Sequence, residues 1–166
     1  MDIRQALMAV HSKRKAMDIV EFIGDDAQRF AELMKSVFAG EYRLTQCAAG
    51  VMGYCVELRP GLIRPYLPKL LDCLERDDVH DAVKRNIVRL LQYVEIPRGL
   101  AGKVYAHCVD LIDDAGEPVA VRAFAVTVAA RIAKLEPDLM NELRLIVRKH
   151  LPHTTAAFQK RARQIL

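Results

Sequence analysis

The chain contains no tryptophan, and aromatic residues make up only 6% of its 166 positions. Stacking platforms for nucleic-acid bases are therefore thin. No apolar run approaches the ~20 residues needed to span a bilayer, because charges interrupt every segment. The opening Met1-Asp2-Ile3-Arg4 has no charged-then-apolar leader pattern, so the chain is expected to be cytoplasmic. Cys47, Cys55, Cys73 and Cys108 show no CxxC spacing and read as small core residues. Neither a GxGxxG nor a P-loop occurs, and Gly50-Val51-Met52-Gly53 reads as helix packing rather than a phosphate cradle. Ser12 and Ser36 have no acid–base partner close in sequence. Strand-like alternation is missing throughout.

Metal chemistry is equally unsupported. His150 and His153 are three apart, but Pro152 lies between them at a helix end. His80 sits among Asp77, Asp78 and Asp81, where capping of a helix start accounts for the same residues as loose cation binding would. His107-Cys108 fits one exposed and one buried helical position, and His11 stands apart from any partner. No catalytic residue, metal ligand or cofactor is assigned, and the expectation is a protein that is not an enzyme.

What remains is 52% hydrophobic and 28% charged, the composition of an ordinary globular protein. A chain this long buries roughly two thirds of its unfolded surface as one domain. The net charge of +4 is uneven: residues 118–166 carry 9 Lys/Arg against 3 Asp/Glu, and residues 1–117 carry 16 against 18. A basic end on a mildly acidic body points to an anionic partner or to a solvated helical surface.

Apolar periodicity predicts helices from end to end. Asp2 and Ser12 are candidate caps for two N-terminal helices that could equally be one. Gly24 then stops the chain, and Asp25 with Gln28 resembles a capping box. Phe30, Leu33, Met34, Val37 and Phe38 form one wide apolar face before Gly40. The helix from Glu41 carries Leu44, Ala48, Val51, Cys55 and Leu58, with Gly50 and Gly53 inside it. Mid-helix glycine costs up to about 1 kcal/mol relative to alanine, so close approach of a neighbouring helix is expected there. Pairs follow at 62–74, 79–94 with 99–113, and 118–135 with 138–151, and a last helix spans 155–166. Val83, Ile87, Leu90, Leu91 and Val94 are inward in one of these, and Met140, Leu143, Val147 and Leu151 in another.

These pairs repeat. Ala82, Ala120 and Ala157 occupy matching positions at intervals of 38 and 37, and Pro60, Pro97 and Pro137 mark the same junction three times. From each proline, apolar residues recur near +3, +7, +10 or +11, and +14. A period near 40 with two helices per unit marks an α-solenoid, in which stacked units bury one continuous core. Glu117-Pro118-Val119-Ala120-Val121-Arg122-Ala123-Phe124-Ala125 resembles the acidic-Pro-x-x-Val-Arg-x-x-Ala opening of HEAT repeats, and Leu67-Pro68-Lys69-Leu70-Leu71 is similar to their second-helix pattern. The resemblance covers residues 41–166. It implies an all-α superhelix of about eight or nine helices in one domain over 1–166. N-terminal helices would occupy 1–40, repeat units 41–78, 79–116 and 117–153, and a terminal half-repeat 154–166.

Members of this family that hydroxylate with iron use His-Glu dipeptides, which this chain lacks. Members that repair alkylated DNA are longer and line a basic groove with aromatic side chains. The resemblance therefore implies a protein-interaction scaffold in which the second helix of each pair offers Arg64, Lys69, Lys103, Tyr105, Asn141, Arg144 and Arg148 to another protein, with Tyr105 as anchor. The competing reading is nucleic-acid binding through a basic C-terminal concave face, using Arg85, Arg89, Arg122, Arg131, Arg144, Arg148 and Lys149. The ending on Ile165-Leu166 suggests self-association through a solenoid end.

Overall fold

Prolines, glycines and short polar caps decide where this chain turns, and the computed structural model, which describes residues 1–166, shows each helix start. There are ten α-helices: α1 Ile3–Met8, α2 Lys13–Ile23, α3 Ala27–Val37, α4 Tyr42–Leu58, α5 Leu67–Leu74, α6 Asp81–Leu90, α7 Arg98–Asp113, α8 Val119–Ala133, α9 Pro137–His150 and α10 Ala156–Ala162. Short 3₁₀ helices cover Pro60–Tyr66 and Leu151–His153, and there is no strand. The count exceeds eight or nine because the first two helices stay separate. Asp2 accepts from the Gln5 amide to start α1, and Ser12 accepts from the Lys15 amide to start α2. Residues 1–95 and 96–166 form two compact units, so the boundary lies between α6 and α7, inside the repeat expected over 79–116.

In the first unit α4 is central and touches α1, α2, α3 and α6. Its Leu44, Ala48, Val51 and Cys55 are buried together with Met52 and Val56, whereas Leu58, expected on the same stripe, is 58% exposed. The α3 face Phe30, Leu33, Met34 and Val37 is buried against it. Each such side chain contributes roughly 1.5–3 kcal/mol on burial. Those faces, not intrinsic propensity, hold helices of 11 residues that would be marginal alone. Gly24 and Gly40 take φ of +52° and +76°, the left-handed turn that lets α3 follow α2 and α4 follow α3.

Two expectations shift. Asp26, not Asp25, caps α3, accepting from the Gln28 and Arg29 amides at 2.8 and 3.1 Å. Asp25 instead faces Arg59, 3.0 Å away. The close approach expected at both α4 glycines occurs at one of them. A β-carbon on Gly53 would lie 3.0 Å from Asn86 Oδ1, and the Asn86 amide is fixed by its 2.7 Å bond to the Ala82 carbonyl. A β-carbon on Gly50 would meet nothing within 4 Å. Gly53 is there to admit α6, and no contact explains Gly50.

In the second unit α8 is central, touching α7, α9 and α10. It is apolar on nearly every side, with Val121, Ala125, Val126, Val128 and Ala129 buried, as a fully surrounded helix should be. The exception is Arg122, only 4% exposed. Its Nε and Nη2 donate to the Ile112 carbonyl at 3.1 and 2.9 Å, and the guanidinium lies over the Phe158 ring. Ile112 is one of the last carbonyls of α7, which have no partner within their own helix, so Arg122 satisfies the end of the preceding helix. On α9, Leu143 and Val147 are buried, while Met140 and Leu151, expected inward, are half-buried.

Candidate interaction surfaces

Of the residues nominated for a partner, five lie in the second unit. Tyr105, expected at a non-core position, is instead 6% exposed. Its hydroxyl lies 2.7 Å from the Leu139 carbonyl oxygen and 3.0 Å from Glu142 Oε2, sharing one proton between two acceptors. Burial, reinforced by Glu142, pushes its phenol pKa well up. The ring packs under α9 and fastens its first turns, so Tyr105 is a tie rather than an anchor for a partner. Helical spacing could not show this, because the acceptors are more than thirty residues away in sequence. Lys103 is half-buried, and Asn141 and Arg148 are exposed. Arg144 is half-buried and donates through Nε to the Ile165 carbonyl at 2.6 Å.

Part of the basic character of residues 118–166 is engaged in the same way. Asp113, the last residue of α7, receives Lys149 Nζ at 2.8 Å and His150 Nε2 at 2.7 Å. The Lys149 hydrogen bond first, and the His150 one second, hold its carboxyl below the usual range. Arg148, Lys149 and His150 form the last turn of α9, where cations complement the negative end of a helix. Arg161 stacks on Phe124, 4.8 Å from the ring centre. Of the seven cations a nucleic acid could use, Arg122, Arg144 and Lys149 are tied within this unit, and Arg89 pairs with Glu57 at 2.7 Å in the first.

The other two nominated residues lie in the first unit. Arg64 is exposed on the 3₁₀ helix after α4. Lys69 sits over the Phe38 ring, 4.0 Å from its centre, on the wall of an open groove of about 930 Å³. Val37, Thr45, Cys73 and Val83 line this groove, as do Tyr42 and His80. Tyr42, the first residue of α4, is 71% exposed and meets the His80 ring edge-to-face at 4.4 Å. His80 is oriented by its Nδ1, which accepts from the Ala82 amide at 2.9 Å and caps α6. The rim carries both signs: Arg76 is doubly bonded to Asp78, and Asp81 stands at the start of α6. Neither Tyr42 nor His80 was nominated. The signal available was an aromatic residue between Glu41 and Arg43, just ahead of the Leu44–Ala48–Val51 stripe.

No arrangement here matches an acid–base or nucleophilic site. Burial pushes the Cys55 and Cys108 thiols up to about 12 and raises Cys73, so none of these is a ready thiolate at neutral pH. No three metal-ligating side chains come together. No helix is long and apolar enough to cross a membrane.

A family model described as a HEAT repeat domain matches residues 3–166. No curated protein and no solved structure matches the chain.

Proposed function

This chain belongs to the HEAT repeat domain family, and on that premise we propose that it is a non-catalytic protein-interaction module whose first unit holds a segment of another protein. Stacked helical repeats present extended surfaces on which peptides and helices dock. The observation that carries the reading is the groove beside Tyr42. It has an apolar floor at Val37, Cys73 and Val83, a largely exposed aromatic lip and charges of both signs at its rim. Its volume of about 930 Å³ accepts one large apolar side chain with its flanking backbone. An exposed aromatic beside an apolar pocket is the kind of residue that dominates interface energetics. Lys69, on its platform of Phe38, adds a directed donor.

Pull-down from a native lysate with nuclease treatment, read by mass spectrometry, tests this. A protein partner should survive nuclease and be lost with Tyr42→Ala. Retention of nucleic acid instead, or a partner indifferent to Tyr42→Ala, would contradict the groove as the site.

A further inference from the structure

Lys13, Arg14 and Lys15 form the first turn of α2, and that turn holds no acidic residue. The start of a helix is its positive end, so three cations there work against the dipole. All three are exposed. No carboxylate comes within ion-pair distance of any of them. Arg14 and Lys15 have no ion pair or ring contact in the fold, unlike Arg122 or Lys149, and Lys13 has only a ring contact with Tyr54.

Beside them the last two residues of α4, Glu57 and Leu58, are exposed and Tyr54 is half-buried. Lys13 Nζ lies 5.6 Å from the centre of the Tyr54 ring, and the Arg89 guanidinium lies 5.1 Å from the same ring. Tyr54, Glu57 and Leu58 are spaced i, i+3, i+4 and share one face of α4. Leu58 is 58% exposed, and Tyr93, just beyond α6, is 43% exposed. Arg89 is steadied by Glu57 at 2.7 Å. The two ring contacts thus join a basic turn without ion pairs to a partly exposed apolar strip. This face is some distance from Tyr42, which lies about 18 Å back along α4 at 1.5 Å per residue.

We propose that this face docks an acidic amphipathic helix of a partner protein. The apolar side of that helix lies on Tyr54 and Leu58, and its carboxylates meet Lys13, Arg14 and Lys15. The inference rests on the reading of the chain as an interaction module, but on a separate surface from the groove. Charge complementarity selects an acidic partner, and the strip of Tyr54 and Leu58 selects one with an apolar side. A nucleic-acid backbone would satisfy the cations and leave Leu58 uncovered.

The test is selection of a random-peptide display library on the immobilised full-length chain, repeated on the triple variant Lys13→Glu/Arg14→Glu/Lys15→Glu and on Leu58→Ala. A labelled 20-nucleotide single strand is the competing probe. Enriched peptides should carry Asp or Glu with Leu or Phe at helical spacing, and the affinity of one such peptide should fall about tenfold or more in each variant. The triple variant should melt at or above the temperature of the parent chain, which separates lost binding from lost folding. Absence of enrichment, or equal enrichment on the triple variant, would overturn the proposal, as would oligonucleotide binding lost in that variant. Peptides lost in a parallel selection on Tyr42→Ala but kept by the triple variant would overturn it and leave the groove reading intact. The reverse pattern supports this face alone.

Discussion

The two units of this molecule fasten their helices with different sets of contacts. In residues 96–166, Tyr105, Arg122 and Arg144 reach main-chain carbonyls on other elements, and Asp113 gathers Lys149 and His150. In residues 1–95, α4 and α6 come together through a missing side chain, Gly53 against Asn86, and through the pair of Arg89 with Glu57. There the three cations of α2 are exposed and form no ion pair. Net charge is a poor guide to where cations without an ion pair lie. The first unit holds 14 basic and 14 acidic residues and the second 11 and 7, yet three consecutive cations without an ion pair, Lys13, Arg14 and Lys15, lie in the neutral unit. A cation joined to a carbonyl or carboxylate of its own fold has its hydrogen-bonding capacity reduced; an unpaired one has not.

Substitutions that break this contrast come in order of size. Arg122→Ala should cost about 3 kcal/mol, because it removes a charged donor from a buried carbonyl that has no second partner. Urea denaturation measures it directly, and a loss under about 1 kcal/mol would show that Arg122 is not a structural tie. In the first unit the two α4 glycines should respond with opposite signs. Gly53→Ala presses on a pinned Asn86 and should destabilise by about 1 kcal/mol even after the helix-propensity gain. Gly50→Ala enters open space and should stabilise by about 0.5–1 kcal/mol. Thermal melts of the two single variants, recorded together, check both signs.

The smallest effect is on pH. Asp113 has a depressed carboxyl pKa in the folded state, so its contribution is fully present above the unfolded value near 3.8 and is lost as pH falls through the lower folded value. Because Asp113 is about half exposed, the effect is modest, a few tenths of a kcal/mol once solvent screening is allowed for. Stability measured from pH 6 down to pH 2 should fall slightly less steeply in Asp113→Asn than in the parent chain. Superimposable slopes would remove Asp113 from the set of structural ties.

The helical periodicity, the proline junctions and the Pro-x-x-Val-Arg motif made the architecture legible from residues alone, because apolar spacing and backbone breakers are local properties. The inward faces of α3 and α6 follow from the same periodicity. The interaction surfaces were much less legible. Tyr105 occupies an outward-looking register and yet is buried, because Leu139 and Glu142 arrive from a distant part of the chain. Lys69 was picked out, but the Phe38 ring beneath it and the Tyr42–His80 pair beside it were not, since each depends on a tertiary approach. Gly50 and Gly53 look alike in sequence, and only the position of Asn86 distinguishes them. The basic end of the chain looked available because a charge count carries no information about carbonyl partners.

The most direct test of the central contrast is a pair of thermal melts on charge-reversed variants at low ionic strength. One variant carries Lys13→Glu, Arg14→Glu and Lys15→Glu at the start of α2; the other carries Arg148→Glu and Lys149→Glu at the end of α9. Each reversed charge is worth about 0.3–1 kcal/mol against the helix dipole. The first variant should melt at or above the parent temperature, since its carboxylates now sit at the positive end of a helix. The second should melt below it, having placed carboxylates at a negative end and lost the bond from Lys149 to Asp113. The opposite order would show that the α2 cations support the fold and that those of α9 are the ones available to a partner.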